Sequence, residues 1–402
     1  MKNNLFVIIA FIVCCTSCSK KNYVTKTAVI SPHQNHTTIV SMPTDTVYHK
    51  TIKAPTYIDY EIKPEVYYQN SYNELKDMLE NKQSLNFKRA VFVTENAYLN
   101  NQVDYNLYCK YIESLSAIAL QWSKTNKLND YKLEDSTNLM LNGAIFHTLT
   151  DTVFDKQHNI VNLPYVYDFE DAYGSENFTQ QFVTKLLSTH KGQCHSLPYL
   201  YKIIAEELKA KVWLSFTPNH IYLRNRCKKT GWYNTELTSA SFPSEAWVMT
   251  SSHVTINSIV SGIYMDTLSL KQSVATCVKD LADGYRRKVK NHDAQFVLNC
   301  CNLALSCYPN YASALYTKAE TLKNIYESYI KVHGLNAPQQ AEHKDYLENL
   351  TNEINKTYNS LAQLDFRMVP KSKVSDSLKT LVDNKESYQD SKIINTFKTD
   401  KK

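Results

Sequence analysis

Cys194 stands in the run Gly192–Gln193–Cys194–His195–Ser196, with His190 just before it, His220 downstream, and Asn234 and Glu236 beyond that. A cysteine, a histidine and an acid or amide are the parts of a nucleophilic acyl-transfer site. The thiolate attacks a carbonyl, the imidazole moves the proton, and the third group fixes the imidazole tautomer. Cys194 is placed for the first role. Leu197, Leu200, Ile203, Ile204, Ala205 and Leu208 recur at helical spacing, and Pro198 is tolerated in a first turn, so a helix begins at the cysteine. The unpaired N–H groups and positive dipole end of a helix favour thiolate over thiol. The chain has only 7 glycines in 402 residues, so one placed two residues before the cysteine predicts a turn or a close approach that a side chain would block. His190 and His195 are weaker candidates for the base. Adjacent helical residues diverge, which turns His195 away from the Cys194 sulfur.

The elements that must hold these residues are a helix and a hairpin. Residues 212–216 and 221–224 alternate as strands do, Lys228–Lys229–Thr230–Gly231 supplies a turn, and Trp232 to Thr238 reads as a third strand. His220 and Tyr222 then share one face, as do Trp232, Asn234 and Glu236. Two registers are open: a tight turn sets Leu223 opposite Glu236, and a looser loop from Asn225 to Gly231 sets His220 opposite Glu236. A slip by two would bring Asn234 to the imidazole instead. A helix followed by an antiparallel hairpin is an α+β arrangement.

Upstream, Leu75, Met78 and Leu79, then Tyr108, Ile112, Leu115, Ile118 and Leu120, then Leu141, Ala144, Ile145 and Leu149 predict helices that pack as a floor for the cysteine helix. Phe169–Glu170–Asp171 and Gly174–Ser175–Glu176 read as a loop with solvated carboxylates, leading to a helix from about Phe178 to Ser188. From about Leu268 the chain turns helical again. Asn302 to Asn310, followed by Ala312, Ala314, Leu315, Tyr316 and Ala319, resembles the end of one tetratricopeptide repeat and the start of the next, with Pro309 at the break. A further helix is expected from about Glu342 to Leu364, so antiparallel helix pairs should fill 291–364. The Lys-rich stretch after Pro370 reads as a loosely ordered tail.

Taken together, Gly192–Gln193–Cys194, His220 at a strand start, and Trp232 through Glu236 to Thr238 resemble the transglutaminase-like cysteine enzymes. Those enzymes carry a Gly-Gln-Cys motif, a histidine, and a Trp-x-x-x-Asp-x-Thr segment. The resemblance covers about Phe169 to Pro243. Two residues depart from the pattern: the acid is Glu236, one methylene longer than Asp, and His195 replaces an aromatic. The resemblance implies a transglutaminase-like (papain-like) core with N-terminal helices and a helical C-terminal region, and a Cys194–His220–Glu236 triad with Asn234 and Gln193 as alternates. It further implies an oxyanion held by the Cys194 N–H and a peptide or protein substrate. The family's upstream oxyanion side chain has no assigned counterpart, Trp122 being the one tryptophan before the cysteine. The acidic ion sites of the calcium-dependent animal members are not found, so neither a metal nor another cofactor is expected. Water as acceptor gives hydrolysis and an amine gives cross-linking.

Met1–Lys2, the apolar run Leu5 to Val13 and the closing Cys15–Thr16–Ser17–Cys18 read as a signal peptide of 18 residues, too short to be a comfortable span. The small residues before Cys18 resemble a bacterial lipoprotein cleavage site, with Cys15 in place of the usual Leu. That implies a lipid anchor on Cys18 and a place on the cell-envelope membrane. Residues 19–64 then form a polar tether, with His33 and His36 solvated, followed by a transglutaminase-like domain over 65–267, the helical region over 268–366 and the tail over 367–402. A formal charge of +6 is small and spread, without a basic stripe, so no nucleic acid partner is expected. The remaining cysteines, Cys109, Cys227, Cys277, Cys300, Cys301 and Cys307, lack paired metal-ligand spacing. An envelope-anchored cysteine amidase or peptidase is the leading reading. A scaffold lipoprotein that has lost activity and holds a protein partner on its helical repeats is the alternative.

Overall fold

The computed structural model describes residues 63–398, apart from 173, 335–340, 371–372, 374–375, 377–379 and 381. The expected signal peptide, Cys18 and all but the end of the tether lie outside the described residues. Four helices come first: α1 (Pro64–Leu79), α2 (Phe87–Tyr98), α3 (Tyr105–Thr125) and α4 (Ser136–Thr150). Pro64 opens α1, where a missing N–H is harmless. The side chains of Asn86 and Asp104 accept from the Arg89 and Leu107 N–H groups to start α2 and α3. The expected periodic residues Leu75, Ile112 and Ile145 are fully enclosed. Helix α2 is an addition to the expected set. It is buried continuously from Ala90 to Ala97, the polar Thr94, Glu95 and Asn96 included, so its enclosed face is not an apolar one.

β1 (Val153–Phe154) and β2 (Ile160–Asn162) make a short antiparallel pair, and β3 (Val166–Tyr167) lies parallel to β4 (Lys191–Gly192). Between β3 and β4, a 3₁₀ turn (Phe178–Gln181) and α5 (Val183–Thr189) stand where one helix was expected. Phe182 is extended, with φ −94° and ψ 134°, and separates the two. The buried Glu95 carboxylate on α2 accepts from the Val183 and Thr184 N–H groups at 2.7 and 2.8 Å, capping α5 from another helix. Burial raises its pKa to about 7 against those two hydrogen bonds.

Helix α6 (Ser196–Glu207) follows β4 and is buried from Ser196 to Ala205, as befits a helix apolar on nearly every side. It packs on α3, α4 and α5 and beneath the sheet formed by β5 (Trp213–Thr217), β6 (His220–Cys227) and β7 (Gly231–Thr235). That sheet is antiparallel in the order β5-β6-β7. Its register matches neither expectation. Cys227 faces Gly231 and Leu223 faces Thr235. Gly231, at φ +79°, is the first paired residue of β7 rather than part of the turn, so the loop is Lys228–Lys229–Thr230.

Beyond the sheet come α7 (Glu245–Ser251), α8 (Ile256–Val260), α9 (Leu270–Lys288), α10 (Ala294–Cys307), α11 (Ala312–His333) and α12 (Lys344–Gln363). The chain is therefore mixed helix and strand with a helical C-terminal region. Helix α9 packs on α1 and α2, and Tyr68 meets Tyr285 and Phe296 edge-on at 5.2 and 6.4 Å, so the helices on both sides of residue 268 share one core. Part of the stretch expected to be a loose tail also joins that core. A helix at Ser391–Phe397 buries Ile393 and Phe397, and a Cβ on Gly143 would come within 2.6 Å of the Phe397 ring. The lysines of the tail masked this apolar face. Among the described residues no helix is long and apolar enough to cross a membrane.

Candidate active site

The cysteine turn is fixed from both sides. Val166 N–H donates to His190 O and Asp168 N–H to Gly192 O, each at 2.8 Å, so β3 carries the chain up to Gly192. A Cβ on Gly192 would lie 2.3 Å from Ser196 Oγ and 2.9 Å from Leu186 Cδ1, which is the close approach its placement predicts. Ser196 Oγ uses that space. It accepts from the Gln193 N–H at 3.0 Å and donates to Gln180 O at 3.1 Å. Leu197 N–H and Tyr199 N–H return to Gln193 O and His195 O, so helical hydrogen bonding starts around Cys194. Pro198 has no N–H for the Cys194 carbonyl four residues back. Cys194 itself is half-buried, and like the other described cysteines it is in no disulfide.

His220 opens β6 opposite Thr217, directly after a turn in which Asn219 takes φ +56°. Its Nε2 lies 2.6 Å from Glu236 Oε2. Continuing the observed register past Thr235 sets Glu236 level with Tyr222, a diagonal step from His220. The longer arm of Glu suits that reach better than Asp would. Glu236 is held in turn: its backbone pairs with Ser241, and its Oε1 accepts from the Thr238 N–H at 2.8 Å. Thr238 of the Trp-x-x-x-acid-x-Thr segment thus serves through its backbone.

Both partners are buried. Desolvation disfavours the His220 cation, but the Glu236 charge and then Cys194 outweigh it and hold the imidazole's pKa well above the usual value. Desolvation likewise pushes the Glu236 carboxyl up, and the His220 charge with the Thr238 hydrogen bond brings it below its ordinary range. His220 Nδ1 is buried without a conventional hydrogen bond among the described residues, and Cys194 is one of the groups that favour the protonated ring.

The alternates take other places. Asn234 faces Arg224 across the strands and its Nδ2 donates to Pro243 O at 3.1 Å, so the side chain that meets the imidazole is Glu236. The buried Gln193 amide donates to Asp171 O. Asp171, expected to be solvated, gathers the N–H groups of Ser175 and Asn177 at 2.8 and 2.9 Å and shapes that loop. His190 Nδ1 sits 3.1 Å from Leu163 O, and Trp122 stacks on His147 at 4.7 Å. His195 turns to Asp280 on α9, with Nε2 3.1 Å from Oδ2.

A cleft of about 350 Å³ opens at Cys194 and His220, and several of its walls were not anticipated. Gln181, at the end of the 3₁₀ turn, is an upstream side-chain amide in the lining. Helix α9 contributes Lys279, Asp280 and Asp283, the start of α11 contributes Tyr311 and Tyr316, and the segment after α12 contributes Phe366 to Met368. No local motif connects those positions to the cysteine. Their one sequence signal is the spacing of Asp280 and Asp283 on one helix face. Among the described residues no group of His, Cys, Asp and Glu could hold a metal ion. Compared with protein-family models, curated proteins and solved structures, the chain matches none.

Proposed function

We propose that this chain is a cysteine acyl-transfer enzyme of transglutaminase-like type, acting on amide bonds of peptides or proteins through Cys194, His220 and Glu236. The observation that carries the reading is the buried imidazole, whose Nε2 is clamped 2.6 Å from Glu236 while its Nδ1 is left to the cysteine side. The imidazole takes the Cys194 proton, the thiolate adds to the amide carbonyl, and the oxyanion accepts from the Cys194 N–H and the Gln181 amide. As the C–N bond breaks, the imidazolium protonates the leaving amine. Water, deprotonated by the same imidazole, then attacks the thioester, releases the acid and restores the thiol. An amine entering in place of water would give transfer. Glu236 keeps the imidazole in one tautomer and stabilises its charged form throughout.

Chloroacetamide labelling of the full chain, read residue by residue by mass spectrometry, tests the proposal. Cys194 should react faster than the other half-buried thiols, Cys109 and Cys307, and His220→Ala should remove that advantage. Equal rates at all three, unchanged in the variant, would end the catalytic reading.

A further inference from the structure

The charged groups of the cleft are already matched to one another. His195 meets Asp280 at 3.1 Å, Lys279 pairs with Asp283, Arg367 lies 3.0 Å from Asp365, and His220 is clamped by Glu236. Asp280 also accepts from Tyr199 OH at 3.0 Å. At the three enclosed pairs a charged substrate group would have to displace a partner or share one, and either exchange leaves a charge short of hydrogen bonds; only Arg367, 69% exposed, can be met by water instead.

The rest of the lining is aromatic and aliphatic. Phe216 lies on β5, four residues before the catalytic histidine, and its ring stacks on Tyr311 at 5.7 Å with an interplanar angle of 8°. Tyr311 is backed by Tyr308 at 5.1 Å and 5°. Tyr316 and Phe366 close the outer edge, 5.9 Å apart, with Ile263 beside them. This wall is fixed before any substrate arrives. The segment bearing Phe366 is tied at each end, by Ser261 Oγ donating to Leu364 O at 2.9 Å and by Asn219 Nδ2 donating to Val369 O at 3.1 Å. The second tie runs to the residue next to His220, so the wall and the catalytic base share one anchor.

We propose that the acyl donor is recognised through a bulky apolar or aromatic side chain seated on Phe216, Tyr311, Tyr316 and Phe366, and not through charge. The proposal rests on the catalytic reading above and assigns its substrate class. The cleft volume of about 350 Å³ accommodates one or two residues on the acyl side. Its helical C-terminal region is on this view the specificity wall of the site.

The test is a panel of N-acyl aminoacyl chloromethyl ketones carrying Phe, Leu, Lys, Glu or Gly. Their alkylation rates at Cys194 are divided by that of chloroacetamide on the same protein. Phe and Leu should exceed Lys, Glu and Gly by about 10- to 100-fold, the range expected for burying one large apolar side chain. Phe366→Ala and Tyr316→Ala should each lose most of that ratio. A Lys or Glu probe as fast as Phe would overturn the proposal, as would a Phe preference that survives both substitutions. The wild-type ranking decides by itself if a variant does not fold. Failure of chloroacetamide to single out Cys194 is a separate result, which removes the catalytic reading and this one with it.

Discussion

Two histidine–carboxylate pairs line the cleft that holds Cys194, and their construction differs at every point that governs proton transfer. In His220–Glu236 the contact is 2.6 Å, both side chains are under a tenth exposed, the carboxylate is held by a backbone N–H, and the far ring nitrogen has no conventional hydrogen bond among the described residues. In His195–Asp280 the contact is 3.1 Å, each side chain is 18% exposed, and the carboxylate is shared with Tyr199. The His195 ring packs on Tyr199 at 4.3 Å. The first pair leaves a ring nitrogen free for the chemistry we propose, and the second ties α6 to α9. A histidine–acid contact identifies a proton relay only when the opposite nitrogen faces the reacting atom.

Substitutions can break that comparison or sharpen it. Cys194→Ala should abolish turnover in any assay that detects acyl transfer, because the thiol carries the covalent step. Next, Glu236→Gln should cost about 10²-fold or more in kcat/KM, since the amide leaves the imidazole tautomer unguided. It should also move the pH limb belonging to His220 toward acid, because desolvation then acts with less opposition. Linkage gives the sign for stability. His220 is raised, so its share is full below about pH 6.5 and is lost as pH rises through its folded value. Glu236 is lowered, so its share is full above about pH 4.5 and is lost as pH falls through its folded value. Urea unfolding should therefore show the widest gap between wild type and Glu236→Gln from about pH 4.5 to 6.5. A gap that grows steadily with pH would contradict the ion pair.

Glu236→Asp should be milder, losing about 10-fold because the shorter arm falls short on the diagonal from the Tyr222 level to His220. Full activity in that variant would show that the hairpin adjusts. The smallest effect is expected at the second pair. His195→Gln and Asp280→Asn should change kcat/KM by less than about 3-fold while costing about 1–2 kcal/mol of stability in urea. A loss at His195 as large as at Glu236 would erase the distinction between the pairs.

The reacting residues were legible because each sits at a local landmark. Gly192 and the first turn of α6 mark the cysteine, and strand starts mark His220. The choice between Glu236 and Asn234 was open, since it depends on a register set by the positive φ of Gly231 and the short loop before it. Helix α2 buries Thr94, Glu95 and Asn96 beside its apolar residues, which blurs the pattern its enclosure would otherwise leave in the sequence. Asp280, Tyr311 and Phe366 reach the cleft by contacts between segments far apart in the chain, and such contacts leave no periodic trace.

Phe397, seated on Gly143, also touches Phe242 at 5.3 Å, and Phe242 follows the Glu236–Ser241 bridge that holds the acid. Synthesis runs from the N-terminus, so the nucleophile and base leave the ribosome long before the ring that braces their third member. The nascent chain therefore carries a thiol and an imidazole while the acid's loop still lacks its prop. On the proposed catalytic reading, full reactivity should emerge only once Phe397 has docked against Gly143 and Phe242, as a late event in folding.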